Sequence, residues 1–196
     1  PQIRNAFAKV LTERIDADFF VRRVQRAVAL RARLPIDSDG VRLVHGEADG
    51  LPGLVVDRYG DTLVVQVGFV GAERWKDAIA DALLATTGTQ RLYERSDLGV
   101  RKLEGLAEQQ GWLRGDGDTQ LTIREHGWTL QVDIAQGHKT GTYLDQRDNR
   151  LHFAQAVRHF GCTEVLNCYS YSGGFTLAAL AGGAQRVTSV DSSAPA

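Results

Sequence analysis

The stretch from Glu164 to Asp191 constrains this chain more than any other. A short strand, Glu164-Val-Leu-Asn167, runs into the small-residue loop Cys168-Tyr-Ser-Tyr-Ser-Gly-Gly174. An apolar helix through Phe175, Leu177, Ala178 and Leu180 follows, then the turn Gly182-Gly183 and a second strand, Arg186-Val-Thr-Ser-Val190, ending at Asp191. Strand, helix and strand in this order make a βαβ unit, the opening of a parallel sheet. Gly173 and Gly174 remove the side chains that would keep a ligand from the backbone N–H groups at the helix start. Asp191 lies 18 residues after Gly173, at the strand end where an acid reaches the ribose hydroxyls of a nucleoside cofactor. Ser-Gly-Gly is not Gly-x-Gly-x-x-Gly, so a pyrophosphate-binding pattern is missing, and an adenosyl cofactor without phosphates suits the loop better. The alternative is a structural βα turn with an ordinary strand-end Asp.

A second dense cluster, Gly137-His-Lys-Thr-Gly-Thr-Tyr-Leu-Asp-Gln-Arg-Asp-Asn-Arg150, sits just upstream. It can lie beside the glycine loop, or it can be a polar connector leading into a helix. Asp145 is placed to cap that helix, whose stripe is Leu151, Phe153, Ala154, Val157 and Phe160, and Gly161 is placed to end it.

Before residue 134 the patterning is mixed. Phe19, Phe20, Val24, Ala27, Val28 and Leu34 recur at helical spacing after Asp16 or Asp18, predicting a helix of about 17 residues. Its polar face carries Arg22, Arg23, Arg26, Arg31 and Arg33 with no intervening acid, which suits either RNA phosphates or solvent. Strands are predicted at Val41–Val44, Leu54–Asp57 and Thr62–Val67, the last two flanking a turn at Arg58-Tyr-Gly-Asp61 as a hairpin. A helix through Trp75, Ile79, Leu83 and Leu84 and a strand from Gln90 to Tyr93 follow. Leu121–Glu125 and Trp128–Ile134 form a second hairpin around His126-Gly127, after an exposed loop at Gly115–Asp118. The resulting expectation is an α+β central domain over residues 1–134, followed by a partial α/β Rossmann-like domain over 135–196.

Composition narrows the function classes. The chain has 196 residues, 23 Lys and Arg against 24 Asp and Glu, and 43% hydrophobic residues, an ordinary composition with enough length for a core. No apolar run approaches the roughly 18 residues of a membrane span. Cys162 and Cys168 fit no zinc or redox spacing, so reduced cysteines, a cytoplasmic location and no metal are expected. The chain starts at Pro1 and stops just after a strand, which predicts a fragment of a longer protein.

Several segments carry a family resemblance. Gly137–Arg150, Val165–Phe175 and Val187–Asp191 resemble the bacterial ribosomal large-subunit RNA cytosine-5 methyltransferase family, which uses S-adenosylmethionine. Ala48-Asp-Gly-Leu-Pro-Gly-Leu-Val-Val-Asp-Arg-Tyr-Gly60, Tyr93–Asp97 and Val100–Gly105 are similar to that family's middle domain. The resemblance implies a small N-terminal RNA-binding domain of the pseudouridine-synthase-associated type, the central domain, and a methyltransferase domain. It implies S-adenosylmethionine as cofactor, ribosomal RNA as partner, and a catalytic cysteine beyond Ala196; neither Cys162 nor Cys168 holds that position. Cytosine carbon 5 is a poor nucleophile, and a cysteine thiolate added at carbon 6 makes it reactive toward the sulfonium methyl group.

On this basis Asp191 is expected to contact the ribose. Asn167, Tyr169, Ser170 and Gly173 are expected to line the cofactor loop, and Lys139, Thr140, Gln146 and Arg147 to close it. Arg22, Arg23 and Arg26 are the RNA-binding candidates. These 196 residues alone are expected to be inactive, to bind cofactor weakly, and to self-associate through an exposed sheet edge. Two other readings compete: a nucleotide-cofactor oxidoreductase, which shares the strand, loop, helix, strand and acid, and a non-catalytic RNA-binding module, which needs only the arginine helix.

Overall fold

In the computed structural model, which describes residues 13–193, Asp16 accepts a hydrogen bond from the Phe19 N–H at 3.1 Å and begins helix α1, Ala17–Arg31. Asp18 lies inside its first turn. The helix stops before the predicted Leu34, which is exposed. The expectations about the two chain ends lie outside the described residues.

Compactness divides the chain into two units. The first holds the described residues up to Pro35 together with Arg42–Gly117, and the second holds Ile36–Val41 and the residues from Asp118 onward.

In the first unit, α1 is followed by β1 (Gly40–His45), whose first two residues group with the second unit, a 3-10 turn (Gly46–Asp49), β2 (Leu54–Tyr59) and β3 (Thr62–Val67). Next come α2 (Val70–Arg74), α3 (Lys76–Thr87), β4 (Arg91–Ser96), α4 (Gly99–Leu103) and β5 (Gln109–Arg114). The sheet order is β1-β2-β3-β4-β5. β2 and β3 are the predicted antiparallel hairpin, paired from Leu54 opposite Val67 to Tyr59 opposite Thr62. Gly60, with φ of 61°, supplies the left-handed residue of its two-residue turn. β3 and β4 are parallel, so the connection between them must cross over, and α2 and α3 do this. Central β3 has five of its six residues buried, the near-continuous apolar run of a strand covered on both faces. Phe20, Val24 and Ala27 of α1 are buried, and α1 packs on α3.

Two elements were not legible in the sequence. β5 reads Gln-Gln-Gly-Trp-Leu-Arg, without alternation, and pairs antiparallel with β4 across a register shift at Leu92/Tyr93. A Tyr93–Trp112 edge-to-face pair, centroids 5.2 Å apart, secures it. α4 is a short helix built around Arg101, whose buried guanidinium donates to the Val67 carbonyl at 2.6 Å, the Ala107 carbonyl at 2.7 Å and Glu73 at 2.9 Å.

The arginine face of α1 is partly neutralised by distant acids. Arg22 and Arg23 reach Glu13 at 3.2 and 2.8 Å, and Arg31 grips Asp49 at 2.5 and 2.7 Å. Arg26 and Arg33 are exposed. The charge read from α1 alone overstates what this face offers a phosphate.

The second unit contains β6 (Gln120–Glu125), β7 (Trp128–Asp133), a 3-10 turn (Leu144–Gln146), α5 (Arg147–Phe160), β8 (Glu164–Cys168), α6 (Gly174–Gly182) and β9 (Arg186–Val190). β6 and β7 form the predicted hairpin around His126-Gly127. By contacts this hairpin groups with the α/β segment, whereas the sequence reading set its boundary at 134. The reason is packing and pairing: Ile123, Val132, Ile134 and Leu144 are buried, and Glu125 of β6 is bonded to Arg150 of α5. Asp145 does not cap α5. It lies in the 3-10 turn, and Gln146 occupies the cap position without a side-chain hydrogen bond. Gly161, with φ of 63°, ends α5 as predicted.

β8 and β9 pair in parallel, from Glu164 opposite Arg186 to Cys168 opposite Val190. This is the βαβ arrangement read from the sequence. α5 packs on α6, and Val157 of α5, Ala179 of α6 and Ala184 just beyond it form a buried cluster with Phe153, Val165 and Val187 against them. Leu166 and Val190 of the two strands are 64% and 51% exposed. No helix among the described residues is long and apolar enough to cross a membrane.

Candidate functional site

A cavity of about 660 Å³ opens in the second unit, within the roughly 300–1,000 Å³ typical of small-molecule sites. Most of its wall comes from three regions, with Gln146 and Arg150 adding to it from the 3-10 turn and α5. The β8–α6 loop and the end of β9 contribute Tyr169 to Ser172, Gly174, Phe175 and Asp191; the segment after β7 contributes Gln136 to His138 and Gly141 to Tyr143; the hairpin contributes Gln120, Gln131 and Asp133.

The β8–α6 loop is held in an uncommon shape. Tyr169 and Tyr171 have φ of 58° and 48°, a left-handed backbone that costs non-glycine residues on the order of 1–3 kcal/mol and persists only where surroundings enforce it. The Ser170 N–H donates to the Val190 carbonyl at 3.2 Å, and the Gly173 N–H to the Ser170 carbonyl at 2.9 Å. Gly173 takes φ of 76° as the N-cap of α6. A Cβ on Gly174 would come within 3.0 Å of the Arg150 Cδ, so the loop lies close against Arg150.

Asp191 closes the far side. Its Oδ2 accepts from the Tyr171 N–H at 2.9 Å and its Oδ1 from the Ser193 N–H at 2.8 Å. The Ser193 and Tyr171 N–H donors, against a smaller opposing effect of desolvation, hold this carboxyl below the usual Asp range. An ionised carboxylate accepts hydrogen bonds only, and its remaining lone pairs suit a donor such as a sugar hydroxyl.

The segment after β7 is pinned to that loop by aromatic side chains. Tyr171 accepts from the His138 N–H at 2.8 Å and donates to the Gly141 carbonyl at 3.1 Å. Its ring stacks on His138 with centroids 4.5 Å apart, and Tyr143 meets it edge-on at 5.5 Å. His138 Nδ1 and the Tyr143 hydroxyl are 3.0 Å apart. Gly137 has no substitute here, because a Cβ would lie 2.3 Å from the Gly141 carbonyl oxygen and 2.4 Å from that of Asp133.

Of the expected cofactor residues, Gln146, Tyr169, Ser170 and Asp191 are on the cavity wall and come together. The others do not line it. Asn167 donates to Thr176 at 2.9 Å, and Thr176 and Ser189 hydroxyls lie 2.6 Å apart, tying β8, α6 and β9. Thr140 is buried. Lys139 Nζ lies 5.8 Å from the Tyr143 ring centroid, and Arg147 bonds Asp148 at 3.0 Å.

His138, Tyr143, Arg150 and Tyr171 were missed as site residues, and so were the hairpin polars. One signal was available for the latter: Thr129, Gln131 and Asp133 alternate with Leu130, Val132 and Ile134 along β7, so the strand has a polar face. Neither Cys162 nor Cys168, both free and exposed, lines the cavity. Among the described residues no three His, Cys, Asp or Glu side chains are grouped to hold a metal ion.

This arrangement has relatives. Residues 100–195 match the S-adenosylmethionine-dependent methyltransferase family. A protein named ribosomal RNA large subunit methyltransferase I from Vibrio cholerae serotype O1 is 48% identical over 188 residues, covering 94% of this chain and 46% of the relative. In sequence the chain is therefore similar to S-adenosylmethionine-dependent methyltransferases over residues 100–195 and to a ribosomal RNA methyltransferase over nearly all of its length. A protein of the same name from Vibrio parahaemolyticus is 48% identical over 199 residues, covering 100% of this chain and 49% of the relative. The chain thus spans about half the length of the curated relatives it matches. Among solved structures, a candidate methyltransferase complexed with SAH superposes with a TM-score of 0.78 at 25% identity, over 93% of this chain and 46% of that one. A candidate SAM-dependent methyltransferase from Streptococcus mutans gives 0.77, also at 25% identity, over 93% and 47%.

Proposed function

We propose that this chain supplies part of the cofactor site of an enzyme that methylates large-subunit ribosomal RNA, at carbon 5 of a cytosine, using S-adenosylmethionine. The observation that carries the cofactor assignment is Asp191, an ionised acceptor at the end of the second parallel strand, facing a cavity walled by a glycine-started helix and its loop. The kinship to proteins named ribosomal RNA large subunit methyltransferase I supports the substrate.

The residues present fit the cofactor. When bound, S-adenosylmethionine supplies an electrophilic methyl group on a sulfonium. Asp191 accepts the ribose hydroxyls, the open backbone at Gly173 admits the ligand close to the start of α6, and Ser170 and Gln146 offer polar contacts from two walls. Tyr169, 88% exposed with its ring in the solvent, offers a stacking face to an unpaired base. The exposed Cys162 and Cys168 stand off the cavity wall, so this reading gives neither the role of the attacking thiolate.

Titration calorimetry of a protein of the relatives' full length with S-adenosylmethionine, S-adenosylhomocysteine and a nicotinamide dinucleotide tests the cofactor, and tight dinucleotide binding with none of the adenosyl ligands overturns it. Radiolabelled methyl transfer to unmodified ribosomal RNA, mapped to the base, tests the substrate in a protein of the relatives' full length.

A further inference from the structure

We infer that Tyr171 is a positioning residue that aims Asp191 at the cofactor's ribose, with His138 and Tyr143 holding Tyr171 in that role; this rests on the cofactor reading above.

One residue joins two walls of the cavity through its two ends. At the side chain, the Tyr171 hydroxyl bridges the His138 N–H and the Gly141 carbonyl, at 2.8 and 3.1 Å, and its ring is stacked on His138 and met edge-on by Tyr143. At the backbone, the Tyr171 N–H donates to Asp191 Oδ2 at 2.9 Å. The direction of that N–H depends on φ of 48° at Tyr171, a conformation an L residue leaves when nothing holds it. The side-chain ties are what hold it. Tyr169 shares the conformation, with φ of 58°, but its ring is 88% exposed and offers the loop no comparable anchor.

The carboxylate is therefore oriented by two N–H groups of different origin. The one from Ser193 is local to the strand end, two residues away. The one from Tyr171 reports the state of the His138–Tyr143 segment. If that segment lifts, Tyr171 relaxes, Oδ2 loses its donor, and the carboxylate is free to rotate away from the diol. The aromatic cluster is thereby coupled to cofactor affinity while Asp191 makes the cofactor contact.

The test, in a protein of the relatives' full length, combines amide hydrogen exchange with S-adenosylhomocysteine titration on Tyr171→Phe, which keeps the ring stack and deletes both hydroxyl bonds, and on Asp191→Ala. Expected for Tyr171→Phe are faster exchange at the Tyr171 amide, unchanged protection in α6, and a dissociation constant raised about 5- to 20-fold. In the Asp191→Ala background the same change should add nothing, because both act through one carboxylate. Fully additive losses, or faster exchange throughout α6, mean a general structural role and overturn the proposal. If the unmodified protein binds the ligand and Tyr171→Phe alters neither exchange nor affinity, the positioning role fails while the cofactor reading stands. If the unmodified protein binds no ligand but Tyr171→Phe still frees its amide, the cofactor reading falls and takes the ribose role with it, leaving only the tie between Tyr171 and Asp191.

Discussion

Arg150 and Glu125 form a two-pronged ion pair, with Nε 2.6 Å from Oε1 and Nη2 2.7 Å from Oε2, and their side chains are 6% and 0% exposed. The pair fastens the end of β6 to the first turns of α5. Arg150 also donates to the Tyr143 carbonyl at 3.3 Å and forms part of the cavity wall. Removing one partner strands a buried charge, which costs about 3–5 kcal/mol, whereas replacing both with apolar groups of similar size costs much less. Arg150→Ala is thus expected to lower unfolding free energy in urea by that amount, and the Glu125→Leu, Arg150→Met double variant by clearly less. Equal losses for the two would show that packing rather than charge dominates this contact.

Asp191→Ala removes the acceptor at the end of β9 together with the cap on the Tyr171 and Ser193 N–H groups. In a protein of the relatives' full length, the expected result is a dissociation constant for S-adenosylmethionine at least about 10-fold higher, the scale of a lost hydrogen bond to a charged group. Calorimetry decides it. An unchanged constant removes Asp191 from the site.

Gly182 sits where α6 presses on α5. A Cβ there would lie 2.6 Å from the Ala154 carbonyl oxygen and 2.9 Å from the Val157 Cβ. In an isolated helix Gly182→Ala is favourable by about 1 kcal/mol; here it forces the helices apart, at about 1–3 kcal/mol. A thermal melt should show a net loss, and a higher melting temperature would mean that the helices separate without strain.

Acid sensitivity follows from carboxyls held low. At Asp49 burial is the largest influence and pushes the value up, but the Arg31 guanidinium and the His45 N–H outweigh it, and the net shift is downward. At Asp61 the Arg91 guanidinium lowers it, and at Asp191 the Ser193 and Tyr171 N–H groups do. A folded-state value below the unfolded one, about 3.9 for Asp, contributes stability that is fully present above the unfolded value and lost as pH falls through the folded one. Melting temperatures should stay level from pH 7 to about 5 and decline below about 4. A decline that starts near pH 6 would point to histidine protonation instead.

What the sequence by itself determined is whatever depends on neighbours along the chain. A cap at Asp16 or Asp18, a hairpin turning at Arg58–Asp61, Gly161 as a helix stop and the strand-loop-helix-strand run from Glu164 to Asp191 were all legible. Each rests on a local dihedral preference or on the periodicity of apolar side chains. The parallel pairing of β8 and β9 followed, because a crossover helix leaves a shared sheet little other choice.

Tertiary structure decided the rest. The α1 arginines look like one cationic face until Glu13 and Asp49 arrive from elsewhere in the chain. β5 has no pattern of its own and exists because β4 offers it an edge and Trp112 meets Tyr93. Tyr171 and Tyr169 are two like residues in one loop with nearly equal φ, yet one is half-buried in a three-ring cluster and the other stands in solvent. Nothing local distinguishes them. The difference is that His138 and Tyr143, roughly 30 residues upstream in the sequence, fold onto one of the two, and contacts at that separation are set by packing rather than by propensity.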